Sequence, residues 1–288
     1  MTLPWTYSAK PDRLNGLWPN GARVALWVAV GVESYRHDAG MTEDILPRGA
    51  APDLVNTAWR DYGNRVGAFR LFDGLAGIGI RPTVLLNSDL YDEAPAVIAA
   101  ARAAGAEIVA HGKSNSDSLA NLPEQTEARY VADVRGRIAA MEGKAPQGWS
   151  SPWLAHTPTS LHSLASAGYS YLLDLRLDDQ PVWLETGAGR LLAIPYAAEL
   201  NDSTTMVGRH MDPRAFAKAL LDETRELAES KTPVVMSVVL HSFISGQPWR
   251  KRPVIAALAK IASMQGVWVT TPSEIHAAVL TEPRLGLR

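Results

Sequence analysis

The chain predicts an α/β barrel, and three features of its 288 residues carry that expectation. Strand-like and helix-like segments alternate from end to end. Most strand-like runs are continuously apolar, which suits parallel strands covered on both faces. About eight such units at this length favour a closed barrel over an open sheet. We therefore expect one domain over residues 1–288, a distorted (β/α) barrel of seven or eight mostly parallel strands.

The strand-like runs, in order, are RVALWVAVGV from Arg23, RPTVLL from Arg81, AEIVAH from Ala106, QGWS from Gln147, YSYLLD from Tyr169, LLAIPY from Leu191, PVVMSVVL from Pro233 and GVWVT from Gly266. Amphipathic stretches lie between them: NRVGAFRLFDGLAGIG, APAVIAAARAAG, EARYVADVRGRIAAM, PTSLHSLASAG, DPRAFAKALLDETRELAES and PVIAALAKIASMQ. Several end in glycine before the next strand, as a helix C-terminus favours. Two segments interrupt the alternation. One is a long connection from about Tyr35 to Tyr62, expected to be a functional loop or lid; the other is EGKAPQGWSSPWLAH.

Composition excludes several classes. With 28 Lys+Arg against 30 Asp+Glu, no global field favours nucleic acid or an anionic membrane surface. There is no cysteine, so no disulfide, thiolate nucleophile or thiolate metal site exists, and a metal would need His, carboxylate or amide oxygen. The N-terminal stretch is not built like a signal peptide and no run is long and apolar enough to cross a membrane, so a cytoplasmic protein is the default expectation. VGVESY after the first strand lacks the glycines of a phosphate loop, and no GxSxG elbow occurs. Apolar helix faces and tryptophan-rich loops are compatible with a homo-oligomer and equally with a monomer's core.

In a parallel barrel, functional side chains project where the strands end. Here those positions hold Glu33; Asn87, Ser88 and Asp89; His111; Ser150 and Ser151; Glu199, Asn201 and Asp202; and His241 with Ser242. Each has a plainer explanation. Asn201-Asp202-Ser203 is turn chemistry, a histidine closing an apolar strand can simply be satisfied in place, and Glu33 can pair with Arg65. Convergence of six strand ends is nevertheless what an active site would produce.

At these residues the sequence resembles the polysaccharide deacetylase family, the NodB-homology fold, and more closely the branch that includes the metal-independent allantoinases and cyclic imide hydrolases. The segments that carry the resemblance are WPNGARVALWVAVGVESYRHD, WRDYGNRVGAFRLFDGLAGIGIRPTVLLNSD, EIVAHGKSNS, GWSSPWLAHTP, LLAIPYAAELND and LHSFISGQPWR. The resemblance implies hydrolysis of a carbon–nitrogen bond other than a peptide bond, either an N-acetyl group on a sugar or the amide of a small ring. Members of the family that deacetylate sugars carry two aspartates after the first strand, and the metal pair of the family is His-x-x-x-His. Here Gly31, Val32 and Glu33 stand in the first place, and His111 is followed four residues on by Asn115, a poor zinc ligand.

Two readings of the cofactor follow: a divalent metal such as zinc on Glu33, His111 and Asn115, or no metal. On either, Glu33, His111 and His241 are the expected catalytic residues, with Glu33 activating water, His241 supplying a proton, and His111 binding metal or orienting the carbonyl. Arg65, Asn87, Ser151, Glu199 and Trp249 are the expected substrate contacts, for a small molecule or a sugar. Trp59, Trp153 and Trp249 are candidates to stack on a ring. A catalytically silent barrel that binds a carbohydrate or metabolite is the third possibility, motivated by the missing aspartate and histidine.

Overall fold

A computed structural model describes residues 3–13, 15–49 and 51–287. At its centre is β1 (Val24–Val32), whose nine residues are all buried. It pairs in parallel with β8 (Val234–His241) along one edge, from Val24 opposite Val234 to Gly31 opposite His241. Its other edge is shared: β9 (Val267–Val269) takes the first half and β2 (Thr83–Leu86) the second. From β2 the sheet runs through β3 (Glu107–Ala110), β4 (Gly148–Trp149), β5 (Tyr171–Leu172) and β7 (Arg190–Ala193) to β6 (Val182–Glu185). Backbone bonds from Val235 to Asp179 and from Val239 to Leu200 tie β8 to the chain flanking the far side, which curls the sheet into a distorted barrel.

Alternation along these strands explains their unbroken apolarity. In β1 the even-numbered valines and Leu26 pack in the large cluster between sheet and helices. Ala25, Trp27 and Ala29 belong instead to the inner cluster, with Leu85, Val109, Tyr171, Leu192, Val235 and Val239. Successive side chains of a strand face opposite ways, so a strand buried on both faces must be apolar throughout. The same parity carries forward past the last apolar inner residue. It makes Gly31 of β1 and Glu33 just beyond it, Asn87 after Leu85, His111 after Val109, and His241 after Val239 the inner-facing residues at the top of the barrel.

The outer layer comprises α1 (Leu54–Tyr62), α2 (Ala68–Ala76), α3 (Leu90–Glu93), α4 (Pro95–Ala103), α5 (Glu124–Glu142), α6 (Pro158–Ser166), α7 (Pro213–Ala228), α8 (Pro248–Ala262) and α9 (Pro272–Thr281). Their starts follow ordinary capping chemistry: the Asp53, Thr157 and Asp212 side chains accept backbone N–H groups, and Thr271 with Glu274 forms a capping box.

Two expectations need correction. The long connection from Tyr35 is not a loop throughout, because α1 fills its last third and continues through a π-helical turn, Gly63–Gly67, into α2. The sheet also has one strand more than expected. β6 pairs antiparallel with β7 across Thr186–Gly189, a hairpin whose TGAG turn between two apolar runs was the available signal.

Candidate active site

The backbone ladder sets the level of the site. Asn87 N–H bonds to Val32 O, His111 N–H to Leu86 O, Ser150 N–H to Ala110 O and Ser242 N–H to Gly31 O. Each residue that follows a strand is thereby held beside the end of its neighbour, and Glu33, His111 and His241 meet from three distant stretches of chain. Glu33 Oε1 lies 3.4 Å from His241 Nε2 and 3.8 Å from His111 Nε2. Its side chain is 2 % exposed. Oε2 accepts the Tyr35 hydroxyl at 2.6 Å and the Asn115 amide at 3.0 Å, while Asn64 holds the Glu33 carbonyl at 2.7 Å. Gly31 makes room for this arrangement. A Cβ there would stand 3.0 Å from both Glu33 Oε1 and the His241 ring.

The two histidines are held in different states. His111 Nδ1 lies 2.8 Å from the Ser150 carbonyl, which can only accept, so Nδ1 carries the hydrogen and Nε2 presents its lone pair toward Glu33. Burial, opposed by the nearby Glu33 carboxylate, keeps the His111 pKa below the ordinary value and the ring neutral. His241 Nδ1 donates to Asp202 Oδ1 at 2.6 Å. Burial alone would drive the second proton off this ring. The Glu33 and Asp202 carboxylates overcome it, with Glu43 adding to the effect, and push the pKa up to about 10.

Asp202 is itself fully enclosed, accepting the His241 N–H, the Ser245 N–H and the Ser245 hydroxyl. A bridge between Asn201 and Val239, followed by a π-helical turn from Ser203 to Val207, brings this carboxylate alongside β8. The sequence noted Asp202 at the end of a strand, but nothing local to it tells a histidine partner from a turn.

These groups open on a cavity of about 140 Å³. Its polar wall includes Glu33, Glu43, His111, Ser151, Asn201 and His241, and its apolar wall includes Leu85, Trp153 and Leu154. Glu43 comes from the connection after β1; its Oε1 accepts the Ser203 hydroxyl at 2.5 Å. Burial raises the Glu43 pKa, against the pull of charged His241. Arg60 clasps this connection, bonding the Glu43 carbonyl at 2.8 Å and the Asp44 carboxylate at 2.5 Å.

The expected substrate contacts divide. Ser151 lines the cavity, its Oγ accepting the Trp149 indole N–H at 2.9 Å and so leaving its own hydrogen free to donate. Asn87 is buried, but both ends of its amide are spent on the Ser34 N–H and the His111 carbonyl, so it braces two strand ends and does not line the cavity. Arg65, Glu199 and Trp249 point to solvent. Arg65 is 75 % exposed and pairs with Asp61, not Glu33. Glu199 is 75 % exposed beside Arg209, and Trp249 is 60 % exposed. All three sit one or more residues beyond the last inward position of their strand or on a helix surface, where parity no longer directs a side chain inward. Of the tryptophans, Trp153 lines the cavity, whereas Trp59 packs edge-on against Phe243.

Glu33, His111 and Asn115 do not fit a divalent cation. Asn115 turns its amide hydrogens to Glu33 Oε2 and to the Tyr35 hydroxyl, leaving its oxygen, the atom that would ligate, buried with no hydrogen-bond partner. Protonated His241 has no lone pair on Nε2 to complete the set. Among the described residues, no group of three or more His, Asp or Glu side chains is arranged to hold a metal ion.

The ends of a curled, mostly parallel sheet thus gather a carboxylate, two histidines and a buried second carboxylate. Residues 59–172 match the family model described as polysaccharide deacetylase. A curated protein of Schizosaccharomyces pombe named "Putative polysaccharide deacetylase" is 23 % identical, with 91 % of each chain covered. The fold is shared with the solved Puue allantoinase, at TM-score 0.82 and 22 % identity over 92 % of this chain and 93 % of that one. It is also shared with a solved protein of Mycobacterium smegmatis that carries the same description as the fission-yeast relative, at TM-score 0.80 and 23 % identity over 97 % and 96 % of the two chains. The chain is thus similar to polysaccharide deacetylases over residues 59–172 and shares its fold with these solved proteins over nearly its whole length.

Proposed function

We propose that this protein is a hydrolase that cleaves the carbon–nitrogen bond of a small amide, foremost the amide of a small ring, using protein groups alone. The observation that carries the reading is the Glu33 carboxylate, held between a neutral and a charged histidine at the edge of a cavity of about 140 Å³. Sites for drug-sized ligands measure roughly 300–1,000 Å³, so this one suits a single small ring better than a sugar chain.

The 3.8 Å between Glu33 Oε1 and His111 Nε2 is too long for a direct hydrogen bond and suits a water donating one hydrogen to each. Such a water directs its lone pair outward, toward a bound carbonyl carbon. Attack forms the new carbon–oxygen bond as Glu33 takes the water proton, and the Ser151 hydroxyl donates to the developing oxyanion. As the carbon–nitrogen bond breaks, His241 Nε2 gives its proton to the leaving nitrogen, with Asp202 holding the ring through Nδ1. The proton on Glu33 then passes to His241 Nε2 across 3.4 Å, which restores both groups.

A panel of hydantoins, cyclic ureides and cyclic imides, run beside N-acetylated chitooligosaccharides, tests this. We expect turnover of a ring amide that falls by roughly 10²–10⁴-fold in Glu33→Gln and in His241→Ala. Both variants should remain folded by circular dichroism, with a melting temperature lowered by loss of one member of the buried Glu33–His241–Asp202 charge set. Turnover of the oligosaccharides alone, ligand binding with no product, or full activity in both variants would each sink the reading.

A further inference from the structure

Glu43 is a half-buried acceptor that the proposed reaction does not use. It reaches the cavity from outside the barrel, on the connection between β1 and α1, and shares the wall with Glu33, His241 and Ser203. One of its oxygens accepts the Ser203 hydroxyl at 2.5 Å; among the described residues nothing is hydrogen-bonded to the other. That position is not incidental. The Glu43 backbone is clamped by Arg60, whose guanidinium also bonds Asp44 at 2.5 Å and lies 5.1 Å from the centre of the Tyr35 ring, with Tyr35 in turn bonded to Glu33. One set of contacts therefore fixes both carboxylates that face the substrate.

We propose that Glu43 is a specificity-determining residue that accepts an N–H group of the substrate, restricting the site to uncharged ring amides with a second N–H away from the scissile bond. The inference rests on the small-amide reading above and names its substrate class. A ligand filling the cavity removes water from the free Glu43 oxygen, and a carboxylate oxygen desolvated without a donor is costly. Burial already raises the pKa of this group, so the donor must come from the ligand for the carboxylate to persist. The charge of the site works in the same direction. Glu33, Glu43 and Asp202 gather around one charged histidine, a field that disfavours anionic substrates and favours departure of the carboxylate product.

The test compares a ring amide bearing the second N–H with the same ring N-methylated at that nitrogen. The ratio of their kcat/KM values should be roughly ten- to hundredfold in the unsubstituted chain, the worth of a hydrogen bond to a charged group. It should fall to near one in Glu43→Ala. Glu43→Gln gives a second measure that keeps the side chain's size. Its amide oxygen would keep the Ser203 hydroxyl, leaving the NH₂ to face the ligand, and an NH₂ cannot accept. A ratio near one in the unsubstituted chain, or a ratio preserved in both variants, overturns the role of Glu43 while leaving amide hydrolysis standing. Absence of turnover on either ring overturns both.

Discussion

The state of His241 decides what this site can do. A neutral imidazole there would be a second base; the three carboxylates around it make it the acid instead. Because the folded chain holds this proton more tightly than the ordinary value of 6.5, the associated stabilisation is fully present below about pH 6.5 and is lost as pH climbs through about 10. Activity should follow the same proton. The alkaline arm of kcat is expected near pH 10, and Asp202→Asn, which removes one of the charges holding the proton, should move that arm to lower pH and destabilise the chain at neutral pH. A pH profile of both proteins checks this; an unmoved arm would mean that Asp202 does not govern the acid. Glu33, His111 and His241 were legible as candidates because each closes an apolar run. Asp202 stood among the strand-end residues, but its pairing with His241 was not legible, since it depends on an Asn201–Val239 bridge between segments about 40 residues apart.

At the scale of elements, the helix from Leu54 to Ala76 is pinned to the site through glycine. The π turn brings Asn64 onto the Glu33 carbonyl and lays Gly63 and Gly67 against the turn that follows β8. A Cβ on Gly67 would meet the Ser242 carbonyl oxygen at 1.9 Å, and Gly246 is packed as closely from the other side. Gly67→Ala should therefore cost more than the roughly 1–3 kcal/mol of ordinary overpacking and lower activity with it, because the shift is transmitted to Glu33. Chemical denaturation beside an activity assay measures both, and Gly136→Ala, with open space around its Cβ, is the control. The sequence marked this stretch as helical and amphipathic only from Asn64 onward, and read Leu54–Tyr62 as part of a loop. It could not mark which glycine faces a carbonyl, because that depends on where the β8 turn lands.

For the whole molecule, the three acids and two histidines act as one charge set, and what argues against a bound cation is its donor geometry, with the Asn115 amide hydrogens turned to Glu33 and Tyr35. Incubation with a strong chelator followed by metal-free assay should leave turnover of a ring amide unchanged, and elemental measurement should find no stoichiometric zinc; activity lost on chelation and restored by zinc would reverse that conclusion. The match to the polysaccharide deacetylase model over residues 59–172 includes His111 and Ser151 but neither Glu33 nor His241. The shared fold over nearly all of the chain is what brings those outer segments to the matched one.

What the sequence determined by itself was the alternation of elements, the double burial of the strands and the residues standing at their ends, because hydrophobic period and chain length are local properties. Tertiary structure alone decided which of those residues face one another. Parallel register turns parity into direction, bringing Glu33, His111 and His241 inward and leaving Arg65, Glu199 and Trp249 in water. It also brought in Asp202 and Glu43, from segments whose local sequence reads as turn and loop. Protonation states came last, for a pKa is set by the charges that folding gathers around a buried group, and no neighbour along the chain announces them.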